Sequence, residues 1–129
     1  MVKKNMNETN IGFMKHNGGL NLKKINETNY EFKVVVQEMH LNSGKTAHGG
    51  FLAAIADTGM GSAAHKIADN KRCVTINLNI DYIAPALLND TLFGKIDVYK
   101  KTNTLVFINC KISNSEKVIV FASGIWKIL

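Results

Sequence analysis

The feature that most constrains this chain is a stretch of small residues from position 48 to about position 69. The stretch has no proline, few β-branched residues, many alanines and four glycines. It predicts one long helix of roughly twenty residues, a length at which a helix is favoured over a strand. Each glycine costs up to ~1 kcal/mol relative to alanine in an isolated helix. Such a helix must therefore be held by tertiary packing, either wrapped by a sheet or pressed against a partner helix.

The remainder of the chain predicts β-structure. Alternating polarity marks a strand over residues 30–40, with Tyr30, Phe32, Val34 and Val36 on one side. A second alternation covers residues 75–82, with Ile76, Leu78, Ile80 and Tyr82 on one face and Thr75, Asn77, Asn79 and Asp81 on the other. Ahead of these strands, residues 9–17 are expected to form a short helix or to stay irregular, and Gly18 and Gly19 end that segment.

Three further strands follow at residues 91–100, 105–113 and 118–129. The breaks at residues 88–90, 101–103 and 114–116 are short, which predicts antiparallel strands joined by hairpins. The last strand is apolar on both faces over residues 118–125, which indicates a central position in the sheet. The prediction is an α+β fold in a single domain spanning residues 1–129.

Composition excludes several classes of protein. No run of apolar residues is long enough for a transmembrane helix, and the polar start lacks the apolar core of a signal peptide. Cys73 and Cys110 are isolated and form no CxxC pair. We therefore expect reduced thiols, a cytoplasmic location and no membrane partner. No metal-ligand spacing or phosphate-binding glycine loop occurs, so no metal site is predicted.

The net charge of +6 comes almost entirely from lysine, because Arg72 is the only arginine. Proteins that read bases usually depend on the planar, bidentate arginine side chain. The charge therefore suits phosphate contact in general, or simple solubility, and we expect no nucleic-acid partner.

Asp57 is the first candidate for chemistry. Its neighbours at helical spacing, Ala53, Ala54, Met60 and Gly61, are all non-polar. A carboxylate on such a stripe is costly unless it is paired, hydrogen-bonded or used in a reaction. Either a structural carboxylate or a catalytic one satisfies this pattern.

The second candidate is the His48-Gly49-Gly50 segment at the predicted start of the helix. The first amides of a helix lack partners within it, and the helix dipole there favours negative charge. Glycines let a ligand oxygen approach these amides closely, which makes an oxyanion site. The alternative is a purely structural role, in which the glycines only permit a tight turn into the helix.

The spacing of these two candidates carries its own consequence. Eight residues separate Gly49 from Asp57, or about 12 Å of helix rise. A catalytic group must come within ~3.5 Å of the reacting atom. If both groups act on one substrate, Asp57 must therefore come from a second copy of the chain, across a two-fold axis.

Two segments together resemble the signature of PaaI-type acyl-CoA thioesterases, which belong to the hotdog-fold superfamily. They are H-L-N-S-G-K-T-A-H-G-G over residues 40–50 and A-D-T-G-M-G over residues 56–61. Thr75 and the D-Y-I-A-P segment at residues 81–85 also match that family's strand after the helix. The resemblance extends from Gly12 to the C-terminus.

The resemblance implies an antiparallel sheet wrapped around one long central helix, and a homodimer with sheets joined edge to edge that commonly pairs into tetramers. It implies hydrolysis of acyl-CoA, with no cofactor beyond the coenzyme A of the substrate. Asp57 would be the general base or nucleophile, and Gly49, with Gly50, would bind the thioester carbonyl. Asn42 and His48 would orient substrate or water, and Thr75 would support the attacking water.

Two aspects of the substrate are less defined by the sequence. Phe51 and Met60, with Phe13 and Met14, are candidates to line the acyl pocket, although all four also suit a hydrophobic core. The phosphates of coenzyme A would give the cations a role, with candidates at Lys66, Lys71, Arg72, Lys100 and Lys101.

Three alternatives to the thioesterase stay open. One is a hotdog dehydratase or hydratase, which often carries proline before the helix, where this chain has none. Another is a non-catalytic acyl-CoA-binding hotdog protein. The third is nucleic-acid binding through net charge, although the chain has no aromatic stacking pattern.

Overall fold

The predicted helix and strands form in a computed structural model that describes residues 11–129. The helices are α1 (Gly12–His16) and α2 (Gly49–Ile67), with a short 3-10 turn at Glu38–His40. The strands are β1 (Leu22–Lys24), β2 (Asn29–Val35), β3 (Cys73–Tyr82), β4 (Thr91–Lys101), β5 (Leu105–Ser113) and β6 (Val118–Ile128). In the expectation for residues 9–17, positions 9 and 10 lie outside the described residues, and the remainder forms the short helix α1.

The six strands form one antiparallel sheet in the order β1-β2-β4-β5-β6-β3. Helix α2 packs on one face of this sheet, and the buried core lies between them. The α+β class and the sheet wrapped around one long helix are thus confirmed. Strand β6 is paired on both sides as predicted, although it lies one strand from the edge rather than at the centre.

Two details of the predicted strands are wrong. The first strand ends at Val35, because Gln37 and His40 cap each other's backbone and close the 3-10 turn at Glu38–His40. The break at residues 88–90 does not make a hairpin, since β3 pairs with β6 while β4 pairs with β2 and β5. The connection instead crosses to the loop before α2, where the Ala47 amide donates to the Ala86 carbonyl at 2.8 Å.

A β-bulge between Thr75 and Asn77 changes the predicted faces of β3. Thr75 lies opposite the buried Trp126 and bonds to helix α2, so it stands on the helix-facing side of the strand although it remains exposed. Ile76, expected on the same face as Leu78 and Ile80, is 54% exposed. A bulge adds one residue to a strand and so reverses the alternation on one side of it.

Helix α2 is held against the sheet by aromatic rings that fit over its glycines. A Cβ atom on Gly59 would lie 2.8 Å from the ring of Phe32, and one on Gly61 would lie 3.3 Å from Nε1 of Trp126. On the sheet side, a Cβ on Gly94 would lie 2.2 Å from the same Phe32 ring. The helix therefore receives the tertiary packing that its glycines require, and it receives it from the sheet.

We expect Gly94→Ala to lower the free energy of unfolding by about 1–3 kcal/mol, because the added methyl group must displace the Phe32 ring. Urea unfolding at fixed protein concentration measures the change. Gly44→Ala is the matched control, since its Cβ would meet only the side chain of Asn42, at 3.4 Å. Equal stability of Gly94→Ala and the wild type would contradict the proposed contact.

Candidate active site

Asp57 is paired with a hydroxyl group rather than with a cation. Its Oδ1 accepts a hydrogen bond of 2.8 Å from Oγ1 of Thr75, across the gap between α2 and β3. The bulge in β3 makes this contact possible, because it turns Thr75 toward the helix. No group among residues 11–129 hydrogen-bonds to the second oxygen, Oδ2, which is left to accept a proton from water or substrate.

The Asp57–Thr75 pair borders a cleft of about 340 Å³ between the half-buried face of α2 and the start of β3. The cleft is lined by Asp57, Thr58, Gly61, Ser62, His65, Arg72, Cys73, Thr75 and Trp126. Asp57 is the only carboxylate in this lining, which also includes the cation Arg72. The two residues predicted to act on water are thus brought together in one accessible cleft.

Cys73 is a further potential nucleophile in this cleft. Partial burial raises the pKa of its thiol, and the nearby Lys101 charge only partly offsets that effect. The thiolate is the reactive form of cysteine, so a raised pKa makes Cys73 a poor nucleophile near neutral pH. The carboxylate of Asp57 is therefore the better candidate to act on the substrate or on water.

His48 caps helix α2 through its side chain. Its Nδ1 accepts a hydrogen bond of 2.8 Å from the Gly50 amide, which leaves the proton of the neutral ring on Nε2. The Gly50 amide predicted to help bind a carbonyl is therefore already paired. The Gly49 amide has no hydrogen-bond partner among the described residues and is open to a ligand.

Tyr82 is a site residue that the sequence patterns did not reveal. Its hydroxyl donates a hydrogen bond of 2.9 Å to the Gly49 carbonyl, and its ring lies 3.5 Å from where a Gly49 Cβ would be. Alternation placed Tyr82 on the same face of β3 as Leu78 and Ile80, but no local sequence pattern indicates a contact between residues so far apart in the chain. Tyr82 fixes the first turn of α2 against the end of β3.

A second cleft, of about 250 Å³, lies beside the start of α2. It is lined by Phe13, Asn17, Met39, His40, Leu41, His48, Gly50 and Phe51. Asp57 and Thr75 do not line this cleft. One copy of the chain thus keeps the helix start and the carboxylate in separate clefts, at the spacing expected from the eight intervening residues.

The two candidates for the acyl pocket have different surroundings. Phe51 lines the second cleft, and its ring stacks on the buried His40 with ring centroids 3.7 Å apart. Met60 is fully buried on the sheet-facing side of α2 and lines none of the clefts described among residues 11–129. In one copy of the chain Met60 is thus a core residue, and a contact of its side chain with substrate stays a prediction.

Asn42 lies in the loop before α2 and lines neither of these clefts. Its Oδ1 accepts from the Thr46 amide at 3.1 Å, and its Nδ2 donates to the Thr46 hydroxyl at 3.2 Å. In this chain Asn42 closes the loop that leads to His48 and the helix start.

The described residues contain no cluster of three or more histidine, cysteine or acidic side chains that could hold a metal ion. Within residues 11–129, no helix combines the length and the apolar character needed to cross a membrane.

Comparison with known proteins places this arrangement in a family. The sequence profile described as the thioesterase superfamily matches residues 44–120, which is more than half of the chain. The chain therefore belongs to the thioesterase superfamily, and its class is that of a thioester hydrolase. This match confirms the enzyme class predicted from the sequence.

Individual relatives agree with the family. An esterase-named protein of Pseudomonas aeruginosa is 33% identical over 70% of this chain and 69% of its own length. Human acyl-coenzyme A thioesterase 13 is 29% identical over 69% of this chain and 64% of its own length. The solved structure of the Escherichia coli PaaI protein matches with a TM-score of 0.78 at 22% identity, over 85% of this chain and 79% of that one. The fold is thus shared with PaaI, as the resemblance implied.

We expect His48→Ala to lower the free energy of unfolding by about 1 kcal/mol, because the Gly50 amide loses its capping acceptor. Chemical denaturation checks this value. His48→Asn supplies a different capping acceptor and should recover most of the loss. An alanine variant as stable as the asparagine variant would mean that the cap contributes nothing.

Proposed function

We propose that this protein hydrolyses acyl-coenzyme A thioesters in a site shared by two copies of the chain. Asp57 and Thr75 come from one copy, and the Gly49 amide comes from the other. The observation that carries the proposal is the 2.8 Å hydrogen bond between Asp57 and Thr75 in an open cleft. The unpaired amide of Gly49 lies at the start of the helix that carries Asp57. The name of the human relative, acyl-coenzyme A thioesterase 13, supports the choice of substrate.

The proposed reaction needs few groups. Asp57 either removes a proton from water, whose oxygen then attacks the thioester carbon, or attacks that carbon itself to give an anhydride that water hydrolyses. In both routes the carbonyl oxygen becomes an alkoxide, which the Gly49 N–H stabilises. The C–S bond then breaks, the electron pair leaves with the sulfur, and coenzyme A thiol and a carboxylic acid are released. Thr75 holds the carboxylate and supports the attacking water.

The shared site follows from distance. Gly49 and Asp57 lie on one rigid helix, about 12 Å apart along its axis, so one chain cannot aim both at the same carbonyl. Strand β3 is at the edge of the sheet, and its Val74 and Ile76 are exposed apolar side chains there. Pairing of two such edges would bury them and would bring two copies of α2 together. Assembly of these dimers into tetramers and a cytoplasmic location stay predictions.

The acyl group is proposed to lie in the cleft beside the helix start. Phe51 forms one wall, and Phe13, Met39 and Leu41 add further apolar surface. A cavity of about 150 Å³ lined by apolar side chains is enough for benzene. The cleft of about 250 Å³ therefore suits an aromatic or medium-length acyl group. His48 and Gly50 at its border would orient the thioester toward the helix start.

We expect Asp57→Asn to reduce kcat on acyl-CoA at least a hundredfold, because the amide can neither accept the proton nor attack the carbonyl. The measurement is steady-state hydrolysis of a panel of acyl-CoA thioesters, straight-chain and aromatic. Asp69→Asn, which removes the same charge beyond the end of α2, is the control and should retain activity. Undiminished activity of Asp57→Asn would remove this residue from the mechanism. Coenzyme A binding by the wild type without any hydrolysis would favour a non-catalytic binding protein.

Gly49→Pro tests the oxyanion donor and the shared site together. Proline removes the N–H but suits the first position of a helix, and His48 has the extended backbone that precedes proline readily. We expect a loss of roughly 10²–10³ in kcat. Gly49→Ala keeps the N–H, meets Tyr82 at an ordinary 3.5 Å and should stay near wild-type activity.

Mixing the Gly49→Pro and Asp57→Asn proteins after subunit exchange provides the second half of the test. Half of the random dimers carry both chains, and each has one intact site, so about a quarter of the wild-type activity should return. A mixture no more active than its two components would contradict a site built from two chains.

A further inference from the structure

The one arginine of this lysine-rich chain lies in the proposed catalytic cleft. Arg72 directly precedes β3 and lines the same cleft of about 340 Å³ as Asp57 and Thr75. The other fifteen basic residues are lysines, so the single guanidinium group of the chain lies in this cleft. Arginine differs from lysine in offering a rigid fork of donors that fits phosphate oxygens in pairs.

No carboxylate of the described residues forms an ion pair with the guanidinium group of Arg72. Within residues 11–129 the one side-chain ion pair joins Lys24 and Glu27. Asp57, the only acidic residue in the cleft lining, accepts its hydrogen bond from Thr75 instead. The Arg72 side chain is exposed and is thus available to an anionic group from outside the protein.

The backbone around Arg72 is fixed on both sides. The Leu129 amide donates to the Arg72 carbonyl at 2.9 Å, and Nδ1 of His65 donates to the Lys71 carbonyl at 2.8 Å. The segment before β3 is therefore tied to the last strand and to the end of α2. A side chain carried by such a segment loses less conformational freedom when it binds a ligand.

A second cation adds to the potential of this cleft. The charge of Lys101 acts on the thiol of Cys73, another residue of the lining, and opposes the rise of its pKa caused by burial. Because Cys73 directly follows Arg72, the charge of Lys101 also adds to the positive electrostatic potential of the cleft. Two cations near one small cleft attract a polyanionic ligand before contact is made.

We propose that Arg72 binds a phosphate group of the coenzyme A portion of the substrate and so selects coenzyme A thioesters over shorter thioesters. This inference rests on the proposed function and assigns the recognition of the substrate's anionic end to one side chain. Arg72 acts on binding alone, because its role is to hold a part of the substrate that does not react.

The test compares an acyl-CoA with the thioester of the same acyl group on pantetheine, which lacks the phosphates. In Arg72→Gln we expect KM for acyl-CoA to rise roughly tenfold, as for loss of one exposed charge-assisted contact, with kcat unchanged. KM for the pantetheine thioester should stay at the wild-type value. For Arg72→Lys, KM for acyl-CoA should lie between the values of the wild type and of Arg72→Gln. Lys117→Gln, in the hairpin between β5 and β6, removes the same charge and should change KM for neither substrate.

Binding of the products gives a readout that does not depend on hydrolysis. Calorimetric titration with coenzyme A, 3′-dephospho-coenzyme A and pantetheine should show weaker binding of coenzyme A to Arg72→Gln and equal binding of pantetheine. A loss confined to coenzyme A assigns the contact to the 3′-phosphate, and a loss shared with the dephospho form assigns it to the diphosphate. Unchanged coenzyme A binding, or an equal loss with pantetheine, overturns the proposal. Absence of hydrolysis by the wild type overturns the proposed function alone.

Discussion

The ring of Phe32 lies between two glycines, Gly59 of helix α2 and Gly94 of strand β4, and a methyl group on either would collide with it. This contact sets how closely the helix approaches the sheet. Trp126 makes a similar contact with Gly61, two residues further along the helix. Because glycines weaken an isolated helix, their presence in α2 is explained by the rings they admit rather than by helix propensity. The packing of helix α2 on the sheet depends on this close approach.

Anchoring one side of α2 decides what the other side can do. The sheet-facing side carries the buried residues Ile55, Ala56, Met60, Ala63 and Ala64. The opposite side is half-buried and carries Asp57 among small residues. A carboxylate in that position would be costly in a dry core, but here one oxygen is held by Thr75 and the other faces a cleft. The position of Asp57 thus follows from the packing that fixes the helix.

Much of this arrangement could be predicted from local patterns, since the residues responsible are close together in the chain. The helix start at His48, the strands β4 to β6 and the isolation of Asp57 on an apolar stripe all rest on short-range periodicity. The bulge after Thr75 could not be predicted, because residues 75–82 alternate in polarity without a break and so carry no local sign of an extra residue. The contact of Tyr82 with Gly49 and the pairing of β3 with β6 are long-range, and no alternation reports them. The spacing of Gly49 and Asp57 did indicate separate locations, because the geometry of a helix converts residue number directly into distance.

The groups around Asp57 also limit which bonds such a site can break. A general acid is needed when the leaving group is an alkoxide or an amine, because these bases leave slowly unless they are protonated. Near Asp57, the Nδ1 proton of His65 is given to the Lys71 carbonyl. At the helix start, the Gly50 amide is paired with His48, and the Gly49 amide has no partner among the described residues. A thioester, whose thiolate departs without protonation, requires only a carboxylate and an oxyanion donor, which are the roles proposed for Asp57 and the Gly49 amide. The proposed groups therefore match a thioester more closely than an amide or an oxygen ester.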